Sequence, residues 1–337
     1  MKIIKPSIKV MRTGLEADPG TPEQFIELVG RTCYKSEDKI TETSAAKFVD
    51  NLIRRGHEAM IEHWSFIFRT DMDTYAEMLN DKDILLHDLD MRDDKKITAQ
   101  LKPFLRYTDQ ITDDGDERYI VSGNVRAWRD YVLACTEIFG HVPRYLHGLI
   151  RCNPILFLEY QEWVPGIIVN DILIPITANE LVGHHEHLIH HDVTIKFICD
   201  RGVSHEIVRH RTASFAQEST RYCNYSGDKY NASITIVEPE FVRKARAEGN
   251  QRVVDVCNNA CIRSEHDYME LLQLGCTPQE ARFVLLTGLK TEVVMTGNLD
   301  CWDHFLGLRT ARDAHPDIQV VAKMAQPVVA DIWKQVL

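Results

Sequence analysis

Residues 209–222 read RHRTASFAQESTRY, and this stretch is the most informative part of the chain. It contains three arginines, one histidine and two serines, whereas the whole chain carries a formal net charge of −11. Arginine is permanently charged and can hold a phosphate or a carbonyl oxygen through two parallel hydrogen bonds. A locally basic segment in an acidic protein therefore predicts a site for a phosphorylated small molecule and argues against a nucleic-acid surface.

Length and composition indicate a globular protein. The 337 residues are 44% hydrophobic, which is enough for the packed core of one large domain or two modest ones. No apolar run approaches the roughly 20 residues of a membrane helix, so neither membrane insertion nor secretion is indicated, and we expect a cytoplasmic protein. Nine cysteines, an odd number without a C-x-x-C pair, argue against a disulfide framework and a zinc ribbon.

Secondary structure can be followed outward from the arginine-rich stretch. Aromatic and β-branched residues predict a strand at 193–199 and another at 64–69. Thr277, Pro278 and Glu280 combine a helix cap, a proline in the first turn and an acidic third residue, which predicts a helix start. The other predicted elements are helices within 22–55, a strand at 232–237, helical periodicity over 240–274 and a final helix over 316–337.

Two segments echo each other. Residues 119–131 (YIVSGNVRAWRDY) align without gaps on residues 293–305 (VVMTGNLDCWDHF), and both predict a strand, a Gly-Asn turn and a helix. The echo is compatible with two similar βα corners that arose by chance. It is equally compatible with duplication of a structural unit of which one copy keeps the chemistry.

Histidines are concentrated at 184–191, which read HHEHLIHH. His187 and His191 are four residues apart on one helix face and could bind zinc, so a metal-dependent hydrolase is one possible interpretation. A polar, half-exposed helix is the other, and it is favoured because no carboxylate or cysteine at ligand spacing completes the set. His57 and His63 are six residues apart, unlike the pair of an H-E-x-x-H motif, so we expect no metal there.

Three blocks of sequence together resemble one enzyme family. They are RHR followed after seven residues by Ser-x-Arg-Tyr, the segments 282–286, 291–298 and 304–309 (RFVLL, TEVVMTGN and HFLGLR), and GHEAMIEH at 56–63. In this order they resemble the flavin-dependent thymidylate synthases. The resemblance covers about 32–68 and 193–319.

The resemblance implies a fold and an assembly. We expect an α/β (α+β) protein with a central mixed or antiparallel sheet flanked by helices. We also expect one domain over 1–337 with an inserted, helix-rich region at about 70–190. Family members form homotetramers with shared active sites, so the same is expected for this chain.

The resemblance also implies a reaction. It is the reductive methylation of dUMP to dTMP, with methylene-tetrahydrofolate as the carbon donor and NADPH-reduced FAD as the hydride source. No Rossmann-type glycine fingerprint occurs in the sequence, so flavin binding would not use that turn.

Site residues follow from the matched motif positions. The residue matching Arg309 polarises the uracil, and Ser219 is assigned to binding and orientation because no adjacent base is available to make it a nucleophile. The implied substrate-binding residues are Glu206, Gln217, Ser219, Thr220, Arg221, Arg282 and Arg309. The implied cofactor-binding residues are His63, Arg209, His210, Arg211, Asn298 and His304, and no metal is implied.

Each group of arginines also has a purely structural interpretation. Residues 204–211 could form a short helix whose C-terminal cations offset its dipole. Arg309 could be a surface residue paired with Asp313 at i+4.

The chain departs from the family pattern at several positions. Ala216 and Gln217 stand where the family commonly has Asn followed by Glu or Gln, and Glu206 stands where Gln is frequent. Asp300 occupies a position that is often Arg. By the internal echo, Arg126 is the equivalent residue of the earlier segment, and we hypothesise that it supplies the missing cation. A catalytically silent nucleotide-binding protein is the remaining alternative.

Overall fold

The chain folds into two four-stranded antiparallel sheets flanked by helices, according to a computed structural model that describes residues 1–17, 20–112, 114–166 and 172–337. The strands are β1 Lys2–Ile4, β2 Ser7–Arg12, β3 Ser65–Thr70, β4 Leu105–Ile111, β5 Glu117–Asn124, β6 Ile174–Ile176, β7 Asp192–Asp200, β8 Ser214–Gln217, β9 Thr235–Val237 and β10 Lys290–Asn298. The helices are α1 Pro22–Tyr34, α2 Ser44–Arg54, α3 Met72–Met91, α4 Lys95–Phe104, α5 Val125–Ile138, α6 His147–Cys152, α7 Gly183–His190, α8 Arg201–Ile207, α9 Glu240–Ala247, α10 Gln251–Gln273, α11 Pro278–Ala281, α12 Leu299–Arg309 and α13 Pro316–Val336. The expected fold class is confirmed.

The two sheets have equivalent strand orders. One sheet runs β4-β5-β3-β6 and the other runs β8-β10-β7-β2. In each sheet a long strand that ends in Gly-Asn, β5 or β10, pairs with a strand that follows a histidine, β3 or β7. Asn124 faces Ser65 across the β5–β3 pair, and Asn298 faces Asp192 across the β10–β7 pair. A small parallel pair, β1–β9, adjoins the second sheet through a bridge between Ile236 and Leu289.

The edge strands are exchanged between the two halves of the chain. β2 precedes β3 in sequence but pairs with β7, whereas β6 precedes β7 but pairs with β3. Each half therefore completes the sheet of the other. Because a sheet edge left unpaired exposes a row of backbone hydrogen-bonding groups, this exchange ties the two halves together.

The echoed segments form equivalent βα corners, as predicted. Asn124 caps α5 by accepting a hydrogen bond from the Ala127 backbone amide, and Asn298 caps α12 by accepting one from Cys301. Both asparagines have extended backbone angles, as an N-cap requires. Trp128 and Trp302, at matching positions of the two helices, are both fully buried.

Each sheet has its own apolar core. The core beside β3 and β5 includes residues of α1 to α5, while the core beside β7 and β10 includes residues of α12 and α13. Seven consecutive residues of β10, from 291 to 297, are buried, so this strand is covered on both faces.

Most predicted elements occur, with differences at their ends. The predicted periodicity over 240–274 is two helices, α9 and α10, separated at Gly249, which has φ +73°. The cap at Thr277 forms, although α11 continues only to Ala281. The alternative of a helix over 204–211 is wrong, because α8 ends at Ile207, before Arg209.

The region 70–190 contains strands as well as helices. Besides α3 to α7 it supplies β4, β5 and β6 to the first sheet, while residues 113 and 167–171 within it lie outside the described part of the chain. The single-domain organisation with an insertion remains a prediction.

Candidate active site

The two corners meet through reciprocal contacts. His63, which precedes β3, has its Nδ1 atom 2.7 Å from Thr296 Oγ1 in β10. His190, which precedes β7, has its Nδ1 atom 2.7 Å from Ser122 Oγ in β5. Thr296 and Ser122 are each two residues before a capping asparagine. Each corner contacts the other through the equivalent histidine and hydroxyl residue. The two corners are therefore related by an approximate two-fold axis.

Burial keeps these histidines neutral. It lowers the pKa of His63 from 6.5 to about 3, against a smaller opposing effect of the Phe215 backbone. Burial also lowers the pKa of His190 well below its ordinary value, and the nearby Arg106 guanidinium acts in the same direction. Both rings therefore serve as hydrogen-bonding groups and not as charges at neutral pH.

A cavity of about 240 Å³, here called the corner pocket, lies between the two corners. Equivalent residues of the two halves line it in pairs, namely Ser65 and Asp192, Arg106 and Ser214, and Asn124 and Asn298. Two Arg106 nitrogens donate to the two Asp192 carboxylate oxygens, both at 2.9 Å, and Ser214 donates to Glu62 at 3.1 Å. Burial acts to raise the pKa of Asp192, but the Arg106 guanidinium holds it below its ordinary value.

Arg126 does not supply a free cation to this pocket. Its guanidinium lies 2.6 Å from Glu62, 3.6 Å from Glu58 and 3.8 Å from Asp130. Asp300, the equivalent residue of the second corner, is exposed and lines the corner pocket. The geometry therefore argues against the hypothesis that Arg126 compensates for Asp300.

Three of the motif residues form a second cluster around Arg309. Its Nε donates to His210 Nε2 at 2.9 Å, and its Nη1 donates to the Glu206 carboxylate at 2.9 Å. The ring of His304 lies 5.9 Å from that of His210. Arg309 forms its ion pair with Glu206 and not with Asp313, so the alternative of an i+4 pair on a surface helix is wrong.

His210 is held neutral in this cluster. Burial lowers its pKa to about 4, and the charges of Arg309 and His304 add to the effect. Because Arg309 donates to Nε2, the neutral ring carries its proton on Nδ1. The cluster thus offers a guanidinium and an imidazole N–H on neighbouring residues.

The Ser-x-Arg-Tyr segment lies beside the N-terminal helix α1. The Ser219 backbone amide donates to the Cys33 carbonyl at 3.0 Å, and the Tyr222 ring lies 5.2 Å from the Tyr34 ring. Arg221 is exposed and donates to Gln279, whereas Thr220 is buried. Burial raises the pKa of the nearby Cys33 thiol to about 11, so it is not a thiolate at neutral pH.

The other expected site residues are dispersed. Gln217, the last residue of the edge strand β8, donates to Ser204 at 2.9 Å and to Thr291 at 3.2 Å. Arg209, Arg211 and Arg282 are exposed, and the described part of the chain offers their guanidinium groups no hydrogen bond or ion pair. The structure therefore brings together Glu206, His210, His304 and Arg309 in one place and His63 and Asn298 in another.

The histidine cluster at 184–191 is engaged inside the protein. His187 and His191 contact each other through their Nδ1 atoms at 3.1 Å, and His191 Nε2 donates to the Thr13 carbonyl at 2.6 Å. His187, His190 and His191 are buried whereas His184 and His185 are exposed, so the helix is half-exposed, as expected. Among the described residues, the group that could hold a metal is His266, Asp267 and Glu270, which lies elsewhere and includes exposed side chains.

Sequence reasoning missed several residues of the corner pocket. Gly183 to His190 has the same seven-residue spacing as Gly56 to His63, and this second echo could have identified His190 as the partner of His63. Arg106 lies in a segment without any motif, so no sequence signal points to it. Asn124 was visible in the first echo but had no reason to be singled out.

Within the described residues, no helix is long and apolar enough to cross a membrane. All nine cysteines are free. The fold and the site define a mixed α/β protein with an arginine-rich segment beside the second sheet and a polar pocket between two equivalent corners.

Comparison with known proteins places the chain in a family. The family model described as thymidylate synthase complementing protein matches residues 15–77 and 173–333, and the chain belongs to this family. The flavin-dependent thymidylate synthase of Pyrococcus furiosus is 33% identical over 141 residues, which are 42% of this chain and 55% of that protein. The protein of the same name from Pyrococcus horikoshii is 32% identical over 196 residues, which are 57% of this chain and 78% of that protein.

The extent of the similarity is limited. The chain spans about half the length of several of the curated relatives that it matches. A solved structure of the UMP/dUMP methylase PolB from Streptomyces cacaoi, bound with 5-Br dUMP, is 26% identical and overlaps 43% of this chain and 71% of that one with a TM-score of 0.36. An overlap of this size carries no argument about the ligand of this chain.

Proposed function

We propose that the protein is a flavin-dependent thymidylate synthase that converts dUMP to dTMP. Membership of the family supports this proposal, as do the names of the curated relatives. The observation that carries it is the cluster in which Arg309 meets Glu206 and His210, because it unites residues from two separate motif blocks.

The chemistry of the Arg309 cluster suits a pyrimidine nucleotide. A guanidinium aimed at a pyrimidine carbonyl stabilises negative charge that develops on the ring during attack at the neighbouring carbon. The Nδ1 proton of neutral His210 is available to a second acceptor, and the exposed Arg209 and Arg211 can pair with phosphate oxygens. Thr220, Arg221, Gln217 and Arg282 are proposed to hold the nucleotide, and Ser219 to orient it.

The proposed cofactor is FAD, with NADPH as its reductant and methylene-tetrahydrofolate as the one-carbon donor. Flavin, when bound, supplies the hydride, and the protein supplies orientation and charge. The residues present fit such a group, because Asn298 and Thr296 line a polar cavity, His63 contacts Thr296, and Arg209, Arg211 and Arg282 are exposed. The exposed Arg209, Arg211 and Arg282 are also compatible with a homotetramer in which another subunit completes the site.

The test is the anaerobic conversion of dUMP to dTMP with methylene-tetrahydrofolate and NADPH, with FAD added to or omitted from protein stripped of flavin. We expect dTMP only when FAD is present. If the protein binds dUMP tightly but forms no dTMP under either condition, the synthase proposal fails and a silent nucleotide-binding protein takes its place.

A metal-dependent hydrolase is not supported as a second function. His187 and His191 use their Nδ1 atoms on each other, and His191 uses its remaining nitrogen on a backbone carbonyl. A metal at this point would have to displace these buried hydrogen bonds.

A further inference from the structure

The correspondence between the two halves extends to the turns that follow their exchanged edge strands. Thr13 follows β2, and its amide and hydroxyl both donate to the Glu16 carboxylate. Thr177 follows β6, and its amide and hydroxyl both donate to the Glu180 carboxylate. In each half this turn precedes a Gly-to-His segment, a strand and a Gly-Asn corner, in the same order along the chain. Such an ordered set identifies each half as a copy of one structural unit.

The contact surface between the two copies lies within one chain. β2 pairs with β7 of the other half, and β6 pairs with β3. The two reciprocal histidine–hydroxyl contacts also cross between the copies, and all four of their side chains are buried. Self-complementary contacts of this kind are what two subunits use across a two-fold axis. This surface of the unit is therefore already occupied and is not open to a second chain.

The first copy lacks the groups that form the Arg309 cluster in the second copy. Arg309 is the eleventh residue after Asn298. The eleventh residue after Asn124 is Cys135, which is fully buried in the apolar core beside β3 and β5. β8 follows the turn at 209–213, whereas its counterpart β4 follows helix α4 directly. A thiol enclosed in an apolar core cannot pair with a phosphate or a pyrimidine carbonyl, so the first copy has no equivalent anion-binding cluster.

We propose that the first half serves as a built-in partner subunit for the second half. It takes the place of another chain across a two-fold axis and binds no nucleotide itself. In a tetramer with three perpendicular two-fold axes, an axis contained within each chain leaves only two chains to be related by the others. The protein therefore assembles from two chains, whereas the family resemblance implies four. Each chain carries one nucleotide site, and this count rests on the proposed function, but the number of chains does not.

The first measurement is the mass of the assembly of full-length chains, by size-exclusion chromatography with light scattering. We expect the mass of two chains with or without dUMP. The mass of a single chain or of four chains would overturn the proposal. Because two chains that exchange their halves would also have this mass, a crosslink must show that the paired edge strands belong to one chain.

Arg69 and Ile174 lie opposite each other in the β3–β6 pair, and both are exposed. Opposite Cα atoms of antiparallel strands are about 4.5–5.5 Å apart, which suits a disulfide. We expect oxidised Arg69→Cys/Ile174→Cys to give linked peptides by mass spectrometry while the chain keeps its monomer mass on a denaturing gel. A band of doubled mass, or no linked peptides, would overturn the proposal. The control Lys9→Cys/Ile174→Cys places both cysteines at exposed positions on different sheets and should give no linked peptides.

Titration calorimetry with dUMP counts the nucleotide sites. We expect one dUMP per chain, and two per chain would show that the first copy still binds and would overturn the proposal. Absence of dUMP binding would contradict the synthase function instead, and the mass and the crosslink would still decide the assembly.

Discussion

At the corner between β5 and α5, the residue two positions after the capping asparagine is Arg126, which is surrounded by three carboxylates. At the corner between β10 and α12, the same position is Asp300, which is exposed. Both corners consist of a strand, a capping asparagine and a helix with a buried tryptophan. These shared features therefore determine the common backbone geometry. The differences show that Arg126 is neutralised by carboxylates at the first corner, whereas the second corner adjoins the arginine-rich stretch through the pairing of β10 with β8.

The largest expected effect tests whether dTMP formation depends on Arg309, at the end of the helix that follows the second corner. Arg309→Ala removes the guanidinium proposed to stabilise charge on the pyrimidine, and we expect a loss of kcat of about 10²–10³-fold. Ser219→Ala should retain measurable turnover, because this residue is proposed only to orient the nucleotide. The measurement is the rate of dTMP formation at saturating substrates.

A nearby exposed arginine provides the control for this comparison. Arg312→Ala lies three residues beyond Arg309 and should leave the rate within about twofold, as is usual for surface changes away from special features. If Ser219→Ala proved more damaging than Arg309→Ala, the assigned roles would be reversed.

The second prediction compares the equivalent positions 126 and 300. Arg126→Ala leaves buried Asp130 and half-buried Glu62 and Glu58 without their shared cation, so we expect a loss of about 3 kcal/mol in the free energy of unfolding. Asp300→Ala should cost less than about 1 kcal/mol, since it removes only an exposed acid in the first helical turn. Urea unfolding measures both.

Measuring FAD affinity gives a second test of the comparison between positions 126 and 300. We expect Arg126→Ala, under conditions where it is folded, to bind FAD as the unaltered chain does. A clear loss of FAD affinity in the folded variant would restore the hypothesis that Arg126 compensates for Asp300.

The third prediction concerns the reciprocal histidines and pH. The pKa of His63 is lowered from 6.5 to about 3, so below pH 6.5 the unfolded chain binds a proton that the folded chain does not. Stability must therefore fall as pH decreases from about 6.5 towards about 3. His63→Gln should reduce this slope by up to about 1.4 kcal/mol per pH unit between pH 6 and 4.

The comparison is made by urea unfolding at several pH values. His266→Gln, at a histidine whose side chain is 72% exposed, is the control and should leave the slope unchanged. A slope that is identical in His63→Gln and the unaltered chain would mean that His63 binds its proton over the same pH range in the folded and the unfolded state.

The smallest expected effect is a difference in unfolding free energy between phenylalanine substitutions at the two buried tryptophans. Trp302 Nε1 donates to the Val193 carbonyl at 3.1 Å, whereas Trp128 Nε1 has no partner in the described residues. Because phenylalanine lacks the donor, Trp302→Phe should cost about 1 kcal/mol more than Trp128→Phe in urea unfolding. Trp163→Phe, at a half-exposed residue, is the control, and equal costs at the two buried positions would contradict the distinction.

Local patterns in the sequence predicted local structure well. The alignment of 119–131 on 293–305 predicted both corners, because a strand, a Gly-Asn cap and a helix are encoded in neighbouring residues. Arg309, Glu206 and His210, which the family resemblance marked as site residues, lie together in the structure. The roles of these residues remain predictions.

What the sequence did not reveal depends on contacts between distant segments. β6 has three residues and β2 has six. Neither strand is long enough for its pattern of apolar residues to predict which sheet it joins. Arg106 bonds to Asp192 across 86 positions, and Arg126 meets Glu62 across 64. Such pairs are set by the arrangement of whole sheets, and so the neutralisation of Arg126 could not be inferred from its position in the echo.

The exchange of edge strands has a consequence for how the chain is made. β3 leaves the ribosome well before β6, so during synthesis its outer edge has no partner, whereas β7 emerges after its own partner, β2, is already available. An open strand edge is a template for pairing with other chains. The nascent N-terminal half is thus the state in which this protein is most exposed to misassembly, and it is the stage at which a chaperone that shields strand edges would help most.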